Sequence, residues 1–303
     1  MRIALRWLLG ALLVSVAIWL LSRQVHTLSW SALAAAWCDT PPGAIALALG
    51  CVASSFACLG LYEVFAASRA APGRVRARDA FAIGLVAHAL SNTLGFHLLT
   101  GSAFRLRAYR RYGLAPRQVG SLLAHVGACV ALGVVVVALP ALLAAPASRG
   151  PTALVLALAL LSGVALSPRH AGEGGWLGRL RPRMRGLAPM LPVAAIEMLG
   201  MMAALWVLLP ASLQPAPASF VLLFVAAMLA GILAHAPGGI GVFEATLLTA
   251  APAGHETEML AALLLYRALY NLLPFALAVL AAPFVLAARA PRGGGAMAQF
   301  DGG

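Results

Sequence analysis

SNTLGFHLLTGSAFRLRAY (residues 91–109) and, further along, AHAPGGIGVFE (residues 234–244) are polar, glycine-containing interruptions in a sequence that is otherwise close to continuous hydrocarbon. Lipid cannot hydrogen-bond the amides and carbonyls that a broken helix releases, so irregular backbone at bilayer depth survives only against protein or a water-filled cavity. The two stretches therefore predict an all-α polytopic membrane protein whose chain turns back twice inside the bilayer. They also place the working site at those turns.

Composition sets the class around them. With 62% hydrophobic residues, 10% charged ones and a mean hydropathy of +0.92, the 303-residue chain is excluded from the soluble globular proteins. Crossing about 30 Å of hydrocarbon takes roughly 17–25 residues, and suitable runs lie at 3–21, 43–67, 118–144, 152–166, 187–209 and 258–288. Two less regular apolar blocks remain, 80–104 and 218–252. Arg2 and Arg6 imitate the start of a secretory signal, but polar-leaning residues after Leu21 separate the apolar run from the small residues Ala32 to Ala36. The first run is accordingly read as an uncleaved span. Cys38, Cys51, Cys58 and Cys129 lack metal-ligand spacing and read as packed thiols.

Charge supplies the topology. The chain has no lysine, and its 21 arginines face nine acidic residues. Basic residues near span ends concentrate on the cytoplasmic side, which puts the N-terminus inside with Arg2 and Arg6. Arg69, Arg74, Arg76 and Arg78 fall inside after two crossings. The next cluster, Arg105, Arg107, Arg110, Arg111 and Arg117, should also be inside, yet one apolar block separates it from the previous one. That block, 80–104, is therefore predicted to be a re-entrant hairpin turning around Asn92 to Gly95. Keeping Arg289 and Arg292 inside requires a second hairpin across 218–252, turning at Pro237 to Gly241, and then a long helix kinked at Pro274. A plain crossing at 218–234 followed by shorter spans is the alternative. The sum is about seven or eight membrane segments in one domain, residues 1–289, with a Gly-rich tail, 290–303, expected to be disordered.

The interruptions resemble each other. Ala87-His88-Ala89 ahead of Leu94-Gly95-Phe96 parallels Ala234-His235-Ala236 ahead of Ile240-Gly241-Val242. Short apolar segments broken at corresponding places are the trace of an inverted-repeat transporter, with substrate bound between the repeats. Chance similarity in a chain rich in alanine and leucine is the competing explanation.

Several residues here carry headgroup chemistry. Arg105, Arg107 and Tyr109 follow the first interruption, close to Asn92, Thr93, Gly95 and a turn expected at Gly101–Ser102. Arg105 and Tyr109 share a helical face, and guanidinium forks match phosphate or carboxylate. Interfacial anchoring to anionic headgroups is the simpler role, and it suits Arg107, Arg110 and Arg111 best. Pro237, Gly238, Gly239 and Gly241 permit positive φ and a concavity of exposed amides. Glu244 and Arg267 are ionisable groups inside apolar stretches, which face a cavity and pair with each other or with substrate. Arg267 shares a face with Tyr270 and Asn271. Together these residues predict a wet, cationic cleft. Glu197 and His125 lie mid-span, read as bonded to neighbouring helices or as lining a proton path. His88, His97 and His235 are too scattered for a metal site, and no HExxH, P-loop, GxSxG or Rossmann pattern occurs. No cofactor, no metal, no nucleic-acid partner and no catalysis are expected.

SNTLGFHLLTGSAFRLRAYRRYGL, HAPGGIGVFEATLL and YRALYNLLP together resemble the lysylphosphatidylglycerol synthase transmembrane region family, the membrane half of the multiple peptide resistance factor. The similarity runs from the first helix to about Ala288. It implies a bacterial inner-membrane protein with cytoplasmic termini that moves or binds an anionic or aminoacylated phospholipid, or a related envelope lipid. The family's fused form carries a cytoplasmic aminoacyl transferase; none follows here, so the resemblance implies no lipid synthesis. His97 departs from the small residues the family places there. The expected partner is a membrane phospholipid or similar amphiphile, and a homo-oligomer is compatible with this. The alternative is a non-transporting scaffold for a separate lipid-modifying enzyme.

Overall fold

The computed structural model describes residues 37–94, 97–144, 186–233 and 241–288, together with Ala34. Every regular element among them is helical. The expected spans at 3–21 and 152–166, the tail at 290–303, and Gly95, Pro237, Gly238 and Gly239 lie outside the described residues.

Helix α1, Pro42–Ala70, opens on a proline, whose missing N–H is one that the first helical turn leaves unpaired anyway. Its 29 residues rise about 43 Å, more than enough to cross the bilayer. Its buried positions, among them Ile45, Ala48, Val52, Ser55, Leu59, Tyr62, Glu63 and Ala66, recur at three- and four-residue spacing. That face makes α1 the hub. It contacts α2 (Ala77–Leu94), α4 (Pro116–Ala144), α5 (Leu191–Trp206) and the turn Ala268–Leu272.

Four stretches are long and apolar enough to cross a membrane: Pro42–Ala70, Pro116–Ala144, Ala188–Trp206 and Glu256–Ala287. The outward face of the last, with Phe284 77% and Leu280 68% exposed, carries hydrocarbon where a soluble protein would carry polar groups. These helices overlap the apolar runs 43–67, 118–144, 187–209 and 258–288.

Between α1 and α4 the chain makes two shorter helices, α2 and α3 (His97–Tyr109). They pack antiparallel: Ser91 lies against Gly101 and His88 against Arg105, so one residue number rises as the other falls. A reversal in this block is as expected, but its position differs. Asn92 and Thr93 remain helical, and no turn exists at Gly101–Ser102, which lie inside α3. Gly101 is required for another reason: a Cβ there would sit 2.3 Å from Ser91 Oγ, so it sets the closeness of the two helices rather than a bend.

α6 (Pro217–Leu233) packs against α4 and against the short α7 (Val242–Leu248). α8 (Glu256–Arg267) then runs through a π-helical turn, Ala268–Leu272, into α9 (Leu273–Ala287), which packs on α2. Pro274 lacks a donor for the carbonyl four residues back, and the turn just before it absorbs the mismatch, leaving the proline in α9's first turn. The expected kink is thus a change of helical winding.

α1 and α2 cross where glycine allows it. A Cβ on Gly84 would lie 2.5 Å from Glu63 Cβ, whereas Gly50 has open space around it. Gly84→Ala should cost about 1–3 kcal/mol through overpacking in reversible unfolding of the detergent-solubilised protein. Gly50→Ala should cost nothing. Equal effects from both would remove the crossing as the cause.

Candidate functional site

Two ion pairs flank the chain interruptions, each joining a short helix beside an interruption to a long helix. In the first, Arg105 on α3 meets Glu63 on α1: Nε donates to both carboxylate oxygens at 2.9 Å and Nη2 to Oε2 at 2.7 Å. Tyr109 Oη adds a donor to Oε1 at 3.0 Å, confirming the shared face of Arg105 and Tyr109. Nη2 also reaches His88 Nε2 at 3.1 Å; a guanidinium only donates, so that ring nitrogen is the acceptor. The cluster is sealed, with Arg105 3% and Glu63 0% exposed at the side chain.

In the second pair the signs are exchanged. Glu244 on the short α7 accepts from Arg267 Nε on α8 at 2.5 Å, and its other oxygen accepts from the Gly241 N–H at 2.8 Å. Gly241 takes φ +82°, a conformation glycine adopts without steric cost. The Arg267 guanidinium lies over the Phe243 ring, 5.4 Å from its centroid. This pair is less enclosed: Arg267 is 12% and Glu244 13% exposed.

Between them runs a third polar region. Thr93 Oγ1 donates to the Asn271 carbonyl at 3.0 Å, and Asn271 Nδ2 donates to the Asn92 carbonyl at 3.3 Å. These bonds tie the end of α2 to the π-helical turn, whose winding redirects backbone carbonyls from their usual partners. Tyr270 instead turns to α1, 3.1 Å from Ser55 Oγ.

Compared with the sequence reading, Arg105 and Tyr109 meet in one cluster, Glu244 and Arg267 in another, and Asn92, Thr93 and Asn271 in a third. The single stripe expected from Arg267, Tyr270 and Asn271 is split among three partners, because the π-helical turn changes the angle between successive residues. Arg107 is exposed on the opposite side of α3 from Arg105. The expected cationic character is reduced at two positions: Arg105 and Arg267 are each paired with a carboxylate. The one amide of the Pro237–Gly241 segment that is described, Gly241 N–H, is already occupied by Glu244. Arg111 bonds to the Val285 carbonyl and Tyr112, and His125 to the Ser121 carbonyl. The four cysteines are free thiols.

Glu63 escaped the sequence reading. It lies between Tyr62 and Val64 in a run taken as plain hydrocarbon, although it is the acidic residue of that run. The rule that singled out Glu244, that an ionisable group at membrane depth has a partner and a task, applies to it equally.

Long apolar helices, together with ion pairs enclosed between helices, define an all-helical membrane protein. The lysylphosphatidylglycerol synthase TM region family matches residues 7–278, so the chain belongs to that family. It is also 26% identical over 283 residues to an uncharacterized protein of Synechocystis sp., covering 88% of this chain and 87% of the relative.

Proposed function

We propose that this protein holds the charged headgroup of a membrane lipid at its paired Glu–Arg sites and passes it between the leaflets of the bacterial inner membrane. In this reading α2–α3 and α6–α7 are re-entrant hairpins of an inverted repeat, and both termini are cytoplasmic. The lipid's acyl chains stay in the bilayer while its headgroup enters the polar region between the hairpins.

One observation carries the proposal: two ion pairs of reversed polarity flank the two interruptions, one sealed and the other partly open. A site that alternates between leaflets needs such a pair of gates in unequal states. The charge chemistry suits the family's name. A phosphate competes with a carboxylate for the guanidinium fork, and an ammonium competes with the guanidinium for the carboxylate. A headgroup carrying both charges, as an aminoacylated phosphatidylglycerol does, satisfies arginine and glutamate together without stranding a buried charge.

The test is headgroup transfer by purified protein alone in liposomes, read by accessibility of a labelled lipid to an external quencher, with mass spectrometry of co-purified lipid to name the headgroup. Protein-dependent transfer of the enriched lipid is expected. No transfer, together with retained binding to a separate lipid synthase, would favour the scaffold reading instead.

A further inference from the structure

The function above does not use a buried carboxyl at mid-span. Glu197 on α5 is 3% exposed, and the hydroxyls of Ser55, Tyr62 and Tyr270 surround it, themselves between 0% and 4% exposed. Ser55 Oγ donates to Glu197 Oε1 over a long 3.5 Å and lies 3.1 Å from Tyr270 Oη, where either oxygen can be the donor. Among the described residues, Glu197 Oε2 and Tyr62 Oη are buried without a hydrogen-bond partner. The Tyr62 hydroxyl is nevertheless close enough to act on the Glu197 carboxyl as a donor. Buried polar atoms are nearly always satisfied, so a buried carboxyl with only long, weak donors and no counter-charge beside it calls for an occupant.

The groups facing Glu197 define that occupant. They are Cys58 and Tyr62 from α1, Tyr266 and Tyr270 from α8 and the π-helical turn, with Cys129 of α4 beside Tyr62. α5 brings no other titratable side chain, and among the described residues no arginine or histidine interacts with the carboxyl. A metal ion would need several more ligands, and among the described residues no group of three or more His, Cys, Asp or Glu side chains could hold one. We infer that Glu197 is a proton-binding site, and that its occupancy is read by the Ser55–Tyr270 relay and used to drive the transport cycle.

The step balances with a proton alone. With Glu197 ionised, Tyr270 donates to Ser55 and Ser55 to Oε1. A proton delivered by hydronium forms an Oε–H bond; that O–H then donates to Ser55 or Tyr62, and the Ser55 hydroxyl swings to Tyr270. Loss of the proton to water restores the first arrangement. The relay ends on the π-helical turn, whose neighbour Asn271 is tied to the end of α2. Tyr270 also stacks on Tyr266 at 5.3 Å, and Tyr266 on Phe243 at 6.2 Å, under the Arg267 guanidinium. The direction of one hydroxyl thus reaches both chain reversals.

The coupling half of this inference rests on the transport reading; the proton site does not. Infrared difference spectra of the purified protein during a pH change should show a carboxylic C=O band that Glu197→Gln abolishes and Tyr62→Phe displaces in titration midpoint. In liposomes, a one-unit pH gradient should bias lipid distribution by up to about tenfold for each proton carried, and Glu197→Gln should transfer lipid without responding to the gradient. A band unchanged in Glu197→Gln, or a midpoint unmoved in Tyr62→Phe, overturns the site. An equal response to a sodium gradient at constant pH overturns the choice of proton. A normal band with no lipid transfer by any variant leaves the proton site standing and sinks the coupling together with the transport reading.

Discussion

Arg105→Ala should destabilise the protein by about 3–5 kcal/mol, because it leaves the fully buried Glu63 carboxylate without its counter-charge. Tyr109 and His88 remain beside it, but neither brings the guanidinium's charge or its fork of donors. Reversible unfolding in mixed micelles is the measurement. Glu63→Gln should cost a comparable amount for the mirror-image reason. The double variant Glu63→Gln, Arg105→Gln, which removes both charges, should recover a large part of the loss. Tyr109→Phe removes one donor and should cost about 1–3 kcal/mol. Additive losses in the double variant would show that Glu63 and Arg105 do not act as a pair.

Arg267→Gln should slow headgroup transfer about 10- to 100-fold, the equivalent of one charge-assisted hydrogen bond of roughly 1.5–3 kcal/mol. The informative comparison is Glu244→Gln. If the pair were only structural, losing either member would impair the protein alike. If Arg267 receives a phosphate, Glu244→Gln removes the competitor for its fork, so half-saturation by an anionic lipid should stay level or fall while Arg267→Gln raises it. Matching defects in the two variants, or no defect in Arg267→Gln, would take Arg267 out of the site. The partial exposure of this pair makes it the better probe, since a change at the sealed Glu63–Arg105 cluster confounds function with stability.

Much of the site was readable from local rules. Arg105 and Tyr109 meet because residues four apart share a helical face, and Glu244 finds Arg267 because a charge in hydrocarbon seeks its opposite. The same rule applies to Glu63, the acidic residue of the apolar run 43–67. Other expectations failed where one residue type serves several purposes. Gly101 was read as a turn because glycine bends chains, yet it also admits a neighbouring helix, and only the position of Ser91 distinguishes the two. Asn92 and Thr93 looked like loop residues and are helical, because their polar groups are answered by Asn271 from the far end of the chain.

Composition and helical period were sufficient on their own for an all-helical membrane protein, since these depend on transfer of each segment to lipid and on neighbours within one turn. The neutralised state of Arg105 and Arg267, the rewound turn before Pro274 and the meeting of Ser55 with Glu197 and Tyr270 came only with the tertiary structure. Those contacts join residues 142 and 215 positions apart, and hydrocarbon favours pairing of buried polar atoms without specifying in the sequence which partner each will meet.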